Sequence, residues 1–256
     1  MQIYSPKQEL FLKTGDAVWL EPAGSNSGLH SYSRGHIPRL GEFIVWEQGR
    51  MQLVDKSWCP AETDFPGGFF LKFSALSDCR AGIKTDVRIR RQGYSLVWIT
   101  LSDKGAAGER RDTSGPLIED LVRESMPLSL ARGFVLPDDS NSLKALLCHL
   151  CLFLEVDIVL TTGGTGVSAR DISPQSTLAL LEKRLPGMER IMSFSSWQKT
   201  PHGVISRAVA GTLKKSVIVN LPGSPAGVRE NLQVLLPALP HAIDKLQGDT
   251  SDCGRP

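Results

Sequence analysis

Val156-Asp157-Ile158-Val159-Leu160-Thr161-Thr162-Gly163-Gly164-Thr165-Gly166 is the stretch on which the fold class turns. Val156 to Leu160 has the length and hydrophobicity of a strand buried on both faces, and a glycine-rich exit follows it directly. Working outward, strand and helix alternate from Tyr94 onward. Ser95 to Leu101 is an apolar run of strand length, and Ser114-Gly115-Pro116 reads as a cap with proline at the first helical position, opening a helix from Leu117 to Glu124. Phe134 to Leu136 is a short second strand, and Asp139 to Asn141 cap an apolar helix from Leu143 to Leu154. Ser173-Pro174 caps a helix through Arg184, Val204 to Val209 and Ser216 to Leu221 are strand-like, and Pro225 to Leu246 is mostly helical. This alternation predicts an α/β domain with an open, mostly parallel sheet sandwiched by helices.

The pattern changes at Gly93. Before it, Ala17 to Leu20, Glu42 to Trp46, Arg50 to Val54 and Val87 to Arg90 are short β-like runs, with Glu47-Gln48-Gly49 as a hairpin turn. Turn formers such as Ala23 to Gly28 and Asp64 to Gly68 separate them. The expected organisation is a small, mostly β module of unassigned role over 1–92 and the α/β domain over 93–256.

A chain of 256 residues accommodates two modest domains. With 41% hydrophobic and 22% charged residues it is neither disordered nor collagen-like nor a coiled coil. Lys and Arg number 29 against 27 Asp and Glu, a net charge of +2 that argues against nucleic acid as a partner chosen by bulk charge. Five scattered cysteines and an N-terminus, MQIYSPKQEL, without a basic-then-apolar layout point to a reducing cytoplasm. The longest apolar stretch, Leu143 to Leu154, is interrupted by Lys144 and His149 and falls short of the roughly 20 residues that span a bilayer, so no membrane association is expected.

In an open α/β sheet the ligand lies beyond the carboxyl ends of the strands. Thr161 to Gly166 is either a phosphate loop, whose glycines let backbone amides approach an anion, or a tight strand-to-helix turn; it matches neither of the two common glycine-rich nucleotide motifs. Arg170-Asp171-Ile172-Ser173-Pro174 follows. Its arginine and helix end can hold phosphate and its carboxylate a hard metal such as Mg2+, or Asp171 is a helix-end charge with Ser173 as cap. Ser102-Asp103 begins a polar exit leading into Arg110, Arg111 and Asp112, and Leu136-Pro137-Asp138-Asp139 places two carboxylates at a strand end. Asn220-Leu221-Pro222-Gly223-Ser224-Pro225 ends a strand in a small-residue turn that opens a helix and offers amides and a hydroxyl to a second anion. Two anion sites among carboxylates suggest a phosphorylated small molecule plus a nucleotide.

The ordered set Thr161 to Gly166, Arg170 to Pro174 and Asn220 to Pro225, with Ser102-Asp103, Leu136 to Asp139, Pro186-Gly187 and Ser206-Arg207 around it, resembles the molybdopterin-binding family of molybdenum cofactor biosynthesis over about Tyr94 to Leu246. The single-domain adenylyltransferases of that family are the nearest likeness. The resemblance implies attack of the terminal phosphate of molybdopterin on the α-phosphate of ATP, giving adenylylated molybdopterin and pyrophosphate with Mg2+ offsetting charge. It implies Asp138 and Asp171 as catalytic, metal-holding carboxylates. It implies Ser102, Asp103, Thr162, Gly163, Gly164, Thr165 and Gly166 on the nucleotide side, and Gly223, Ser224 and Pro225 on the pterin side. It implies a homotrimer, and other cofactor-biosynthesis proteins as partners. Family members carry a glutamate where this chain has Arg190, with Glu189 one residue earlier, so a non-catalytic protein that binds, senses or delivers molybdopterin or the molybdenum cofactor is the alternative.

Cys148 and Cys151 form a C-x-x-C around His149 inside an apolar run, and core packing is their expected role, because a structural zinc normally takes four ligands. Arg88, Arg90 and Arg91 make a basic strand or linker edge without the interleaved aromatics of an RNA surface. The five tryptophans are dispersed and read as core or rim residues.

Overall fold

The computed structural model describes residues 2–4, 9–22, 30–32, 37–60 and 68–250. The spacers 23–28 and 64–67, and Cys253, lie outside these residues. The chain divides into two compact units, Met1–Gly93 and Tyr94–Pro256.

The first unit is built of β1 (Gln2–Tyr4), β2 (Leu10–Leu12), β3 (Ala17–Pro22), β4 (His30–Tyr32), β5 (Phe43–Trp46), β6 (Gly49–Cys59), β7 (Gly68–Ala75), β8 (Cys79–Ala81), β9 (Lys84–Asp86) and β10 (Arg88–Arg90). Eight of them form a sheet in the order β10-β5-β6-β7-β3-β4-β1-β9, and β2 pairs with β8. The two ends of that order, β10 and β9, are separated in the chain by Val87 alone, so the sheet curls back on itself there. Ile3, Leu20, Ile44, Met51, Leu53 and Phe73 fill its core. The expected hairpin forms: Trp46 pairs with Gly49 across the two-residue turn Glu47-Gln48. Gly49 is required there, because a Cβ would collide with the Trp46 indole. Strand β6 runs on past Val54 because a register shift between Leu53 and Asp55 lets it keep pairing with β7 as far as Cys59.

The second unit contains β11 (Tyr94–Leu101), α1 (Asp103–Ala106), α2 (Ser114–Ser125), β12 (Leu128–Leu136), α3 (Ser140–Cys148) with a π turn over His149–Phe153, β13 (Ile158–Thr162), α4 (Ser173–Leu178), β14 (Lys183–Arg184), α5 (Pro186–Lys199), a 3-10 turn over Pro201–Ile205, β15 (Ala210–Leu213), β16 (Ser216–Leu221), α6 (Pro225–Leu235) and α7 (Leu239–Leu246). The sheet order is β12-β11-β13-β16-β15-β14. β12, β11, β13 and β16 are parallel, and β15 and β14 add an antiparallel edge. Leu96, Ile158, Leu160, Val217 and Val219 pack on one face against Ile118 and Val122 of α2, Val228 and Leu232 of α6, and Ile243 of α7. Val97, Val159 and Ile218 alternate with them and are equally buried, as strands covered on both faces require. Before β13, the buried carboxylate of Asp157 accepts from the Ser95 amide (2.7 Å) and hydroxyl (3.0 Å), tying the starts of the central strands together. Among the described residues no helix is long and apolar enough to cross a membrane.

Four readings of the helices and strands are revised or refined. The helix from Ser173 stops at Leu178, because Glu182 N donates to Thr212 O (2.9 Å) and Leu185 N to Ala210 O (2.7 Å), drawing the following segment onto the sheet edge as β14. Ser173 is the first residue of that helix and caps nothing; its hydroxyl donates back to Gly163 O (2.6 Å). Val204 and Ile205 lie exposed in the 3-10 turn opened by Pro201, and the strand begins only at Ala210. The C-terminal helical stretch is interrupted between Leu235 and Leu239, where Pro237 lacks the amide that an unbroken helix would use.

Candidate functional site

Three strand exits converge at the carboxyl edge of the parallel sheet. Gly163 and Gly164 leave β13 with φ of +97° and +62°, a left-handed path that glycine follows without a Cβ penalty. Gly163 donates its amide to Leu221 O (3.2 Å), Thr162 Oγ1 donates to Pro222 O (2.7 Å), and Ser114 Oγ donates to Gly223 O (3.0 Å). These bonds clamp the exit of β13 to the exit of β16 and to the start of α2. A cavity of about 330 Å³ opens between them, and Ser102, Thr162, Gly163, Gly223 and Ser224 all line it. Of the residues expected on the nucleotide side, Ser102, Thr162 and Gly163 border this cavity with Gly223 and Ser224 of the pterin side, whereas Asp103, Gly164, Thr165, Gly166 and Pro225 do not.

Arg110, Arg111, Asp112 and Ser114 also line this cavity; the sequence places the first three in the polar exit after Ser102-Asp103 and Ser114 at a helix cap, and assigns none of them to a ligand. Asp112 is the organising group. Its Oδ1 accepts from the amides of Ser114 (3.1 Å) and Gly115 (3.0 Å), and its Oδ2 from Thr100 Oγ1 (2.7 Å). Asp112, rather than Ser114, satisfies the first amides of α2, and Pro116 is its third residue. The signal was present as a short polar residue two positions before a Ser-Gly-Pro helix start. Arg110 and Arg111 bring positive charge to a cavity that also presents the Asp112 carboxylate, whose oxygens are taken up by Ser114, Gly115 and Thr100.

A second cluster lies around Gly164 to Asp171. Asp138 sits at the exit of β12, 3.7 Å from where a Cβ on Gly164 would be. Burial raises its carboxyl above the usual range, and the charge of Asp171 raises it further, so the two carboxylates feel one another. Asp171 Oδ2 accepts from Ser168 N (2.8 Å). Arg207 braces the loop from behind, with Nε donating to Gly166 O (2.6 Å) and Nη2 to Asp171 O (2.7 Å). Asp171 and Arg207 border a separate cavity of about 440 Å³. The amides of Gly164, Thr165 and Gly166 meet no acceptor among the described residues, as an anion-binding turn would leave them.

Other predicted residues are engaged in structure. Asp103 Oδ1 accepts from Asp138 N (3.0 Å), and its other oxygen pairs with the exposed Arg170. Ser102 accepts from Gly105 N (3.1 Å) and Ser224 from Gly227 N (3.2 Å), each as a helix cap, and Pro225 is the first residue of α6. Helix α4 has six residues, too short to contribute much of a dipole to phosphate binding. Glu189 accepts from Arg184 Nε (2.8 Å) and Ala210 N (3.1 Å). Among the described residues no group of three or more His, Cys, Asp or Glu could hold a metal by itself. A pair of carboxylates completed by substrate phosphates is the arrangement Mg2+ ordinarily takes, and Asp138 with Asp171, whose mutual repulsion a cation would relieve, fits it. Cys151 is fully buried, and burial pushes its thiol up to about 12, as core packing predicts.

Residues 97–241 match the family model described as a probable molybdopterin binding domain. A molybdopterin adenylyltransferase of Helicobacter pylori is 34% identical over 152 residues, covering 59% of this chain and 86% of that protein. Gephyrin of Dictyostelium discoideum is 36% identical over 154 residues, 57% of this chain but 21% of that longer protein. Among solved structures, the molybdopterin biosynthesis enzyme MoaB of Thermus thermophilus superposes with a TM-score of 0.57 at 38% identity, covering 61% of this chain and 98% of that one. The family match falls on the second unit, where the sheet, the glycine exit and the Pro-Gly-Ser turn lie, and the chain belongs to the molybdopterin-binding family of molybdenum cofactor biosynthesis.

Proposed function

We propose that this chain is a molybdopterin adenylyltransferase: it transfers AMP from ATP to the terminal phosphate of molybdopterin and releases pyrophosphate. The observation that carries the reading is the clamp between the Gly163 and Gly223 turns, which brings the glycine-rich exit of β13 and the Pro-Gly-Ser exit of β16 together at a cavity beside Arg110 and Arg111. In this reading the Gly223-Ser224-Pro225 turn and the arginines hold the pterin phosphate. The amides of Gly164, Thr165 and Gly166, with Ser102, Asp103, Thr162 and Gly163 nearby, hold the nucleotide phosphates. The phosphate oxygen of the pterin forms the new P–O bond at the α-phosphorus as the bond to pyrophosphate breaks. No protein nucleophile is required, so the residues act by alignment and charge neutralisation. Asp138 and Asp171 would hold Mg2+, which supplies charge neutralisation on the nucleotide. The exposed apolar side chains of Phe194, Trp197 and Val204 offer a surface for the homotrimer the family resemblance implies, and a cytoplasmic setting belongs to the same reading.

The engagement of Glu189 with Arg184 and Ala210, beside an exposed Arg190, favours the second reading, a non-catalytic carrier or sensor of the cofactor. Incubation with molybdopterin, ATP and Mg2+ decides between them. Pyrophosphate release is expected of the enzyme, and tight binding without release of the carrier. Asp171→Asn is expected to keep molybdopterin binding and lose transfer; unchanged turnover would remove its role.

A further inference from the structure

A cavity in the first unit lies where the curled sheet meets itself, beside Val87. It measures about 610 Å³, within the range of small-molecule sites. Its composition is unlike that of an incidental groove. Arg88 pairs in register with Val45, and Val45 with Arg50, so two arginines flank one valine across three neighbouring strands, with backbones roughly 10 Å apart. Arg90 follows two residues along β10 and borders the same cavity. Arg50 is held in place: its guanidinium lies 4.0 Å over the Phe43 ring and donates to Gln92 Oε1 (2.6 Å). Arg88 and Arg90 pair with no carboxylate among the described residues. Val45, Trp46 and Val87 supply apolar wall, and Glu47 and Asp86 add two acceptors.

We propose that this cavity is a second ligand site, for a phosphorylated heterocycle of nucleotide size. Guanidinium groups match phosphate oxygens in a fork, which a single lysine cannot do, and three of them converge on the opening. The apolar wall takes a flat ring, and the carboxylates of Glu47 and Asp86 accept from its amino groups. The arginines that first read as a basic strand edge thus acquire a binding role, distinct from keeping β10 from pairing with another chain. The proposal concerns the first unit and stands apart from the adenylyl-transfer reading.

The test labels the full chain with 5-fluorotryptophan and assigns the Trp46 resonance through Trp46→Phe. AMP is then added with a chelator present, so that no Mg2+-dependent chemistry contributes. The expected result is a saturable shift of the Trp46 resonance, weakened by roughly tenfold or more in Arg88→Gln/Arg90→Gln, whose substituted side chains are exposed. Pyrophosphate release is expected to be unchanged in that variant. A Trp46 resonance that does not respond to AMP, or responds equally in the variant, would overturn the site. Inorganic phosphate matching AMP in affinity would overturn recognition of the heterocycle.

Discussion

Gly223 closes on Gly163: a Cβ built on Gly223 would stand 3.2 Å from the Gly163 Cα, and one built on Gly163 would stand 2.6 Å from the carbonyl oxygen of Leu101. The backbones of three strand exits are therefore in contact with no side chain between them. Gly163→Ala meets both the wrong φ and the Leu101 carbonyl, and should cost about 2 kcal/mol or more together with ligand binding. Gly223→Ala, whose Cβ would stand closer to the Gly163 Cα than ordinary van der Waals contact but meets no positive φ, should cost less. Urea unfolding of the two variants checks the order; an equally stable Gly163→Ala would mean that the turns move freely.

Asp138 should trade stability against activity. Its carboxyl titrates above the usual 3.8 because of burial and the neighbouring Asp171 charge. The folded chain thus holds this proton more tightly than the unfolded one. Its contribution is most favourable at low pH and is lost as pH rises through the raised value. Asp138→Asn should melt higher than the native chain at neutral pH, the advantage should shrink towards about pH 4, and adenylyl transfer should fall. Melting curves at both pH values, paired with the pyrophosphate assay, measure this.

Arg207 makes two backbone bonds, to the carbonyls of Gly166 and Asp171, that hold the glycine loop in shape. Arg207→Ala should lower stability by about 2 kcal/mol and speed amide exchange across 164–171. Arg207→Lys should restore little, because an ammonium cannot span both carbonyls as the guanidinium fork does. Full rescue by lysine would show that charge alone is what the loop requires.

Cys151 should be inert. Its thiol is fully buried and titrates at about 12, so iodoacetamide at about pH 8 should leave it unmodified in the folded chain and modify it after denaturation. Labelling followed by peptide mass analysis reads this directly, and rapid modification in the native state would contradict core packing.

The second unit was more legible than its individual boundaries. Ser216–Leu221 is read correctly to the residue, because a strand buried on both faces is a continuous apolar run ending in a proline. The segment 179–184 was misread as helix because local helix preference carries no information about β15, which pairs with it as β14. Val204 and Ile205 were misread because hydrophobicity marks burial only on average, and here both remain exposed.

The sequence by itself determined the α/β alternation, a hairpin at Glu47-Gln48-Gly49, and the glycines without which the strand exits could not turn. Those follow from local sterics and from the period of apolar residues. Only the tertiary structure decided that the Gly163 and Gly223 turns share a cavity with Arg110 and Arg111, that Asp171 borders a different one, and that Asp103 is spent on Arg170. Those are contacts between segments tens of residues apart, and their geometry is set by how the sheet twists and its helices pack, which no single stretch of chain encodes.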